Sequence, residues 1–214
     1  MAEKRKGLFI SFEGGDGAGK SSQIGRLADH LRASGKTVRI TREPGGSDGA
    51  ETIRKLLVEG AAERWSPLSE ALMMYAARAD HLDRVIRPAL ARGEVVITDR
   101  FADSTMAYQG IAGALGEELI ARLHELVVGG DDPDVTIILD VPTEIGLARA
   151  GGRGAGESRF ESKGVAFQEK VRQAFLKIAH DNPQRCVIVD ATPGEDAVFK
   201  SVAAAVEKAL QSRR

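Results

Sequence analysis

The chain has 214 residues, of which 43% are hydrophobic and 29% are charged, and its formal net charge at pH 7 is -1. This size and apolar content argue against a disordered chain and predict a single domain, residues 1–214, with one good core. The near-neutral charge argues against binding of a nucleic acid polymer through a basic face, and no apolar run approaches membrane-spanning length. The chain has one cysteine and no signal-peptide pattern, so we expect a cytoplasmic protein.

The first predicted element is a short apolar strand at residues 8–12, and a glycine-rich loop follows it. The loop fits the phosphate-binding pattern GxxxxGK followed by Ser or Thr, and it comprises Gly14, Gly15, Asp16, Gly17, Ala18, Gly19, Lys20 and Ser21. Glycines let backbone N–H groups surround phosphate oxygens, Lys20 reaches the β and γ phosphates, and the Ser21 hydroxyl is placed to ligate Mg²⁺. Because a helix predicted at residues 21–33 points its N-terminus at those phosphates, the sequence predicts a bound nucleotide.

Further apolar strands alternate with segments of helical periodicity along the rest of the chain. The predicted strands lie at residues 37–41, 94–98, 135–140 and 186–190, and the predicted helices at residues 51–59, 67–91, 117–128, 165–179 and 197–210. This alternation predicts an α/β fold with a doubly wound, five-stranded parallel sheet and helices on both faces. In such sheets ligands bind beyond the carboxyl ends of the strands, so functional residues are expected directly after strands.

Two charged residues stand at the end of the predicted third strand. The Asp99 carboxylate is placed like an acidic group that orients Mg²⁺, and Arg100 carries a fixed cation that matches a phosphate. A surface Asp and Arg pair at a strand end would give the same spacing.

Polar side chains also recur at helical spacing before and after that strand. Met74 and Arg78 are four residues apart and share a helix face. On a short predicted helix Ser104 and Tyr108 are also four residues apart, as are Thr105 and Gln109, which places hydroxyl, phenol and amide groups on one side. Such groups can recognise the edge of a base through hydrogen bonds. A core methionine and a solvated polar helix face are the alternatives.

A glycine-rich segment at residues 151–156 lies among three arginines, Arg149, Arg153 and Arg159. We interpret residues 149–161 as a short lid, because glycines permit hinge motion and arginines can neutralise charge on a transferred phosphoryl group. Gly17 leaves the phosphate loop with Lys20 as its one cation, so a second cation must come from elsewhere. A solvated loop is the alternative.

The segments FEGGDGAGKS, REPGG, ALMMYAARADHLDRVIRPALARGEVVITDRF and STMAYQG, followed by the arginine-bearing lid, together resemble bacterial thymidylate kinases over nearly the whole chain. The resemblance implies the P-loop nucleoside monophosphate kinase fold. It further implies transfer of the γ-phosphoryl group of ATP to dTMP, giving dTDP and ADP, with Mg²⁺, by a homodimeric enzyme.

The resemblance also implies roles for individual residues. Asp16 matches a loop carboxylate near the acceptor sugar and the metal shell, and Lys20 and Ser21 match the phosphate-loop roles. Arg54 and Arg100 match arginines that hold the acceptor phosphate; the residues that match the surroundings of the thymidine are Arg78, Thr105, Tyr108 and Gln109. Arg153 matches the catalytic lid arginine, with Arg149 and Arg159 as further nucleotide-binding arginines. Met74 departs from the pattern, since family members commonly have a Phe that stacks on thymine.

Three other functions remain open at this point. A kinase for another nucleoside monophosphate would share the same machinery and differ at the base-recognition residues. A P-loop GTPase switch is a different class, and the chain has no NKxD element for guanine. An inactive assembly protein is the third, although Lys20, Ser21, Asp99 and Arg100 are all present.

Overall fold

The computed structural model describes residues 6–61, 63–113, 115–151 and 164–211. Its centre is a parallel sheet of five strands in the order β2-β3-β1-β4-β5. The strands are β1 (Leu8–Glu13), β2 (Val38–Arg42), β3 (Val95–Asp99), β4 (Val135–Asp140) and β5 (Cys186–Asp190). The predicted five-stranded parallel sheet is confirmed, and each strand begins and ends within one residue of its predicted bounds.

Helices connect the strands. In chain order they are α1 (Lys20–Ala33), α2 (Asp48–Val58), α3 (Pro67–His81), α4 (Arg87–Ala91), α5 (Ala102–Thr105), α6 (Glu117–Val127), α7 (Thr143–Gly151), α8 (Val165–Asp181) and α9 (Glu195–Gln211). Two π-helical turns interrupt this pattern, at Leu82–Ile86 between α3 and α4 and at Met106–Ile111 after α5. The segment predicted as one helix at residues 67–91 is therefore α-helical at both ends with a π-helical turn between them.

Alternation along β1 explains why the sheet is covered on both faces. Leu8, Ile10 and Phe12 pack with α1 and α9, whereas Phe9 packs with α3, α4 and α6 on the opposite face. Because successive side chains of a strand point to opposite faces, the fully buried β1 requires helices on both sides. The predicted cover of helices on both faces is confirmed.

The carboxyl ends of β1, β2 and β3 are tied together by backbone hydrogen bonds. The Arg100 N–H donates to the Phe12 carbonyl oxygen at 2.9 Å, and the Glu43 N–H donates to the Asp99 carbonyl oxygen at 2.9 Å. Arg100 has a φ of 67°, an uncommon conformation for a residue with a side chain, so the chain turns sharply after β3. Within the ranges that the structure describes, no helix combines the length and apolar character that crossing a membrane requires.

Candidate active site

A cavity of about 410 Å³ opens at the carboxyl ends of the strands. Most of the residues singled out in the sequence line it: Asp16, Gly17, Gly19, Lys20, Ser21, Arg54, Met74, Arg78, Asp99, Arg100, Thr105, Tyr108 and Gln109. The other residues of the wall are Arg42, Glu43, Pro44, Val58, Phe101, Ser104 and Ala150. The cavity therefore brings together the phosphate loop and the candidate base-recognition residues.

The phosphate loop can only be built with glycine at two of its positions. Gly14 has a φ of 132°, and a Cβ there would lie 2.5 Å from the Leu139 carbonyl oxygen of β4. Gly17 has a φ of 73°, and a Cβ there would collide with the Gly146 carbonyl group of α7. The loop is thus packed between β4 and α7, and position 17 has no room for a side chain that could supply a second cation.

The remaining loop residues lie behind the cavity wall. Gly14 and Gly15 line a separate cavity of about 20 Å³ beside β4, and Ala18 is buried in the core. Their backbone groups shape the loop, while the Lys20 and Ser21 side chains reach the main cavity.

Lys20 is buried at the N-terminus of α1, and its Nζ donates to the carbonyl oxygens of Gly14 at 3.1 Å and Gly15 at 3.0 Å. Burial, followed by the positive charge of Arg100, lowers the pKa of Lys20 to about 8. Beside it the Ser21 hydroxyl donates to the Asp99 carboxylate at 3.3 Å. These two oxygen groups suit Mg²⁺, a hard cation that proteins commonly bind through one or two side-chain oxygens and the substrate phosphates.

Arg100 is the most highly connected cation in the described part of the cavity wall. It pairs with Asp16 at 2.9 Å and donates to the Ser104 hydroxyl at 3.1 Å and to the Tyr108 hydroxyl at 3.3 Å. Its guanidinium carbon lies 5.2 Å from the centre of the Tyr108 ring. These contacts hold a planar cation at the cavity, where it can bind a phosphate.

Glu13 is a functional candidate that the sequence did not reveal. Its carboxylate accepts a hydrogen bond from the Phe101 N–H at 2.7 Å and another from the Ser104 hydroxyl at 2.5 Å. It is fully buried at the end of β1, and burial, followed by the charge of Asp103, raises its pKa from 4.5 to about 8. Glu13 thereby braces the turn that carries Arg100. One signal was available: Glu13 is a charged residue in an otherwise apolar strand.

We expect Glu13→Gln to change how stability depends on pH. A raised pKa means that the folded chain binds the Glu13 proton more tightly than the unfolded chain does. The associated stability is fully present below pH 4.5 and is lost as the pH rises through about 8. As the pH rises from 4.5 to about 8, the melting temperature of the wild type should therefore decrease relative to that of Glu13→Gln. Thermal unfolding across this range measures it, with the exposed Glu118→Gln as control; parallel profiles for wild type and Glu13→Gln would contradict the prediction.

Arg78 is buried, with only 2% of its surface exposed, and it is held by two hydrogen bonds. Its Nε donates to the Glu43 carboxylate at 2.8 Å, and its Nη2 donates to the Thr105 hydroxyl at 3.0 Å. Its Nη1 is buried and has no hydrogen-bond partner in the described structure. The other Glu43 oxygen lies 3.0 Å from His81 Nδ1. Arg78 therefore lines the cavity and keeps one donor nitrogen without a partner in the described structure.

Gln109 is fixed by a second buried carboxylate. Its Nε2 donates to Glu70 Oε1 at 2.8 Å. Glu70, Met74 and Arg78 are four residues apart on α3, which places all three on one face of the helix. Glu43 directly follows β2, where functional residues were expected, but neither Glu43 nor Glu70 was assigned a role from the sequence. The spacing of Glu70 from Met74 was the available signal for Glu70.

The four remaining predicted arginines differ in where they lie. Arg54 lines the cavity and donates to the Pro44 carbonyl oxygen. Arg149 lies in the last turn of α7, where its guanidinium donates to the carbonyl oxygens of Ala191 at 2.9 Å and Thr192 at 3.3 Å. The predicted lid, residues 149–161, thus begins inside α7. Arg153 and Arg159 lie outside the described residues.

The chain is similar to thymidylate kinases over nearly its whole length. A family model described as thymidylate kinase matches residues 12–202. The thymidylate kinase of Caulobacter vibrioides is 60% identical over 205 residues, which cover 96% of this chain and 98% of that protein. The thymidylate kinase of Dinoroseobacter shibae is 52% identical over 198 residues, which cover 92% of this chain and 95% of that protein.

A solved structure gives the same result for the fold. The crystal structure of thymidylate kinase from Ehrlichia chaffeensis superposes with a TM-score of 0.76 at 34% identity, covering 95% of this chain and 98% of that chain. The P-loop nucleoside monophosphate kinase fold inferred from the motifs is thereby confirmed. On the family model, the sequence identity and the shared fold, the chain belongs to the thymidylate kinase family.

Proposed function

We propose that this chain phosphorylates dTMP to dTDP in the 410 Å³ cavity, with ATP as the phosphoryl donor. Membership of the thymidylate kinase family supports the reaction class, a phosphotransferase. The observation that carries the proposal is that one cavity is lined both by Lys20 of the phosphate loop and by the buried polar groups of Arg78 and Gln109. A GTPase switch binds no acceptor nucleotide, so it would not need the polar groups of Arg78 and Gln109 in the same cavity.

The chemistry is a direct in-line transfer. An oxygen of the dTMP phosphate attacks the γ-phosphorus of ATP, the bond from that phosphorus to the β-γ bridging oxygen breaks, and ADP leaves. Lys20 and the loop N–H groups hold the donor phosphates, while Arg100 and Arg54 hold the acceptor phosphate. Mg²⁺, held by Ser21 and Asp99, would neutralise charge on the donor phosphates. The protein itself acts by positioning the groups and by neutralising charge.

The polar groups deeper in the site fit a thymidine. Arg78 Nη1, the buried donor without a partner, suits a carbonyl oxygen of the base. Thr105 holds the same guanidinium, and the Met74 thioether lines the cavity, where its sulfur can contact the ring of a base. Tyr108, packed beside Arg100, is suited to crowd the ribose 2′ position, and Asp16 to contact the sugar.

A panel of acceptors tests the proposal. With ATP and Mg²⁺, we expect kcat/KM to be highest for dTMP among dTMP, dUMP, dCMP, dGMP and AMP. A coupled assay of ADP formation measures it, and omission of the acceptor controls for ATP hydrolysis. A higher kcat/KM for another monophosphate would replace dTMP in the proposal. ATP binding without transfer to any acceptor would support an assembly role.

We assign the second transition-state cation to the lid, with Arg153 as the main contributor and Arg149 and Arg159 as nucleotide-binding arginines. The packing of Gly17 against α7 supports this, because position 17 of the loop has no room for that cation. Arg153→Ala is expected to lower kcat by roughly a hundredfold or more, the effect of removing one positioned donor from a transition state. Steady-state kinetics of Arg153→Ala, Arg149→Ala and Arg159→Ala measure it. A larger loss of kcat in Arg149→Ala or Arg159→Ala than in Arg153→Ala would assign the second transition-state cation to that arginine instead.

We also infer that the enzyme acts in the cytoplasm and that it is a homodimer. Leu68 and Leu72 support a dimer, since they are four residues apart on α3 and are 45% and 47% exposed.

A further inference from the structure

The orientation of the Gln109 amide decides what the cavity presents to a base. One end of a glutamine amide donates hydrogen bonds and the other accepts them, and the two ends have the same shape. Gln109 is only 4% exposed and lines the cavity. Whichever end faces the cavity therefore sets the hydrogen-bonding pattern that a bound pyrimidine must match.

Glu70 fixes that orientation. It is 4% exposed, and its Oε1 lies 2.8 Å from Gln109 Nε2. A carboxylate only accepts hydrogen bonds, so the amide end that faces Glu70 must be the NH₂ group. The Gln109 carbonyl oxygen is then directed away from Glu70, and within the described structure no protein group donates to it. A flipped Gln109 amide would place its carbonyl oxygen next to the Glu70 carboxylate, and two acceptors form no hydrogen bond with each other.

Arg78 and Gln109 both line the cavity, and each has one group without a protein partner in the described structure, the donor Nη1 of Arg78 and the acceptor Oε1 of Gln109. Thymine presents the complementary pair, a carbonyl oxygen at position 4 and an N–H at position 3. Cytosine presents the reverse, an amino group at position 4 and an unprotonated nitrogen at position 3. Two mismatched hydrogen bonds in a buried site exclude a base strongly, because the site's own groups are left unpaired.

We propose that Glu70 is a positioning residue for base selectivity: by fixing the Gln109 amide, it makes the cavity prefer 4-oxo over 4-amino pyrimidine monophosphates. The inference rests on the proposed function, since it assumes a pyrimidine monophosphate in this cavity. Glu70 acts through Gln109 and does not itself touch the substrate.

Glu70→Gln tests the proposal, because a glutamine at position 70 can donate or accept and so leaves Gln109 free to turn over. We expect the ratio of kcat/KM for dTMP to that for dCMP to fall by about tenfold or more, chiefly through KM, while the KM for ATP is unchanged. Glu118→Gln, an exposed glutamate on α6, controls for loss of a carboxylate elsewhere. A purely structural role would lower the melting temperature and leave the ratio unchanged.

The double variant Glu70→Gln/Gln109→Glu provides a rescue. It moves the carboxylate to position 109, where either oxygen facing the cavity is an acceptor, so the wild-type ratio should return. Glu70→Met, which removes the acceptor, serves if Glu70→Gln does not fold, and it should shift the ratio in the same direction. An unchanged ratio in a folded Glu70 variant overturns the inference. Wild-type protein without activity on dTMP would instead overturn the proposed function.

Discussion

Lys20→Met is expected to lower kcat by roughly two to three orders of magnitude, the range found when one preorganised charge or donor is removed from a transition state. Lys20 is the one cation of the phosphate loop, because packing against α7 leaves Gly17 no room for a side chain. Methionine keeps the length and apolar stem of lysine but has no charge. Steady-state kinetics with saturating ATP and dTMP measure the loss, and Lys36→Met, an exposed lysine beyond α1, is the matched control.

The same variant should fold at least as stably as the wild type at neutral pH. Burial lowers the pKa of Lys20 to about 8, so the unfolded chain binds this proton more tightly than the folded chain does. The wild type therefore carries a stability cost below pH 8, and it regains this stability as the pH rises from 8 to 10.5. Lys20→Met removes the titration. A large fall in melting temperature at pH 7, or turnover close to that of the wild type, would contradict the role given to Lys20.

The sheet could be predicted closely because its signal is local. The central strands β1, β3 and β4 are short, mostly apolar runs between turn residues, and strands buried on both faces of a parallel sheet require such runs. The π-helical turn at Leu82–Ile86 could not be predicted, since one extra residue within a helix barely alters a hydrophobic period. Helix α7 was also missed. Two of its nine residues are glycines, which weaken a helical pattern, and its packing against Gly17 is a long-range contact.

Asp99 and Arg100 could be predicted as site residues from their position, because they stand at a strand end and the fold brings every such end to one edge of the sheet. The supporting roles of Glu13, Glu43 and Glu70 could not be predicted, because their positions in the sequence do not identify the residues that they hold. Their partners lie 88, 35 and 39 residues away in sequence, so these pairings exist only in the folded chain.

Arg78→Met should reduce both stability and acceptor binding, for separate reasons. Arg78 and Glu43 form a buried ion pair at 2.8 Å, and removal of one partner leaves a buried carboxylate uncompensated. Such a loss costs about 3–5 kcal/mol of the free energy of unfolding. We expect the lower end, because His81 Nδ1 remains 3.0 Å from the other Glu43 oxygen. The KM for dTMP should rise about tenfold or more, the effect of losing a buried donor to the base, with little change in the KM for ATP.

A second substitution separates the two effects. In Arg78→Met/Glu43→Gln a neutral amide replaces the Glu43 carboxylate that has lost its ion-pair partner. This double variant should therefore recover part of the lost stability. It cannot restore the base donor, so the KM for dTMP should stay high. Chemical denaturation and initial-rate kinetics measure the two quantities, and Arg122→Met, which breaks an exposed pair with Glu118, should cost less than about 1 kcal/mol. Recovery of the dTMP KM in the double variant would mean that Arg78 acts on the acceptor only through the stability of its surroundings.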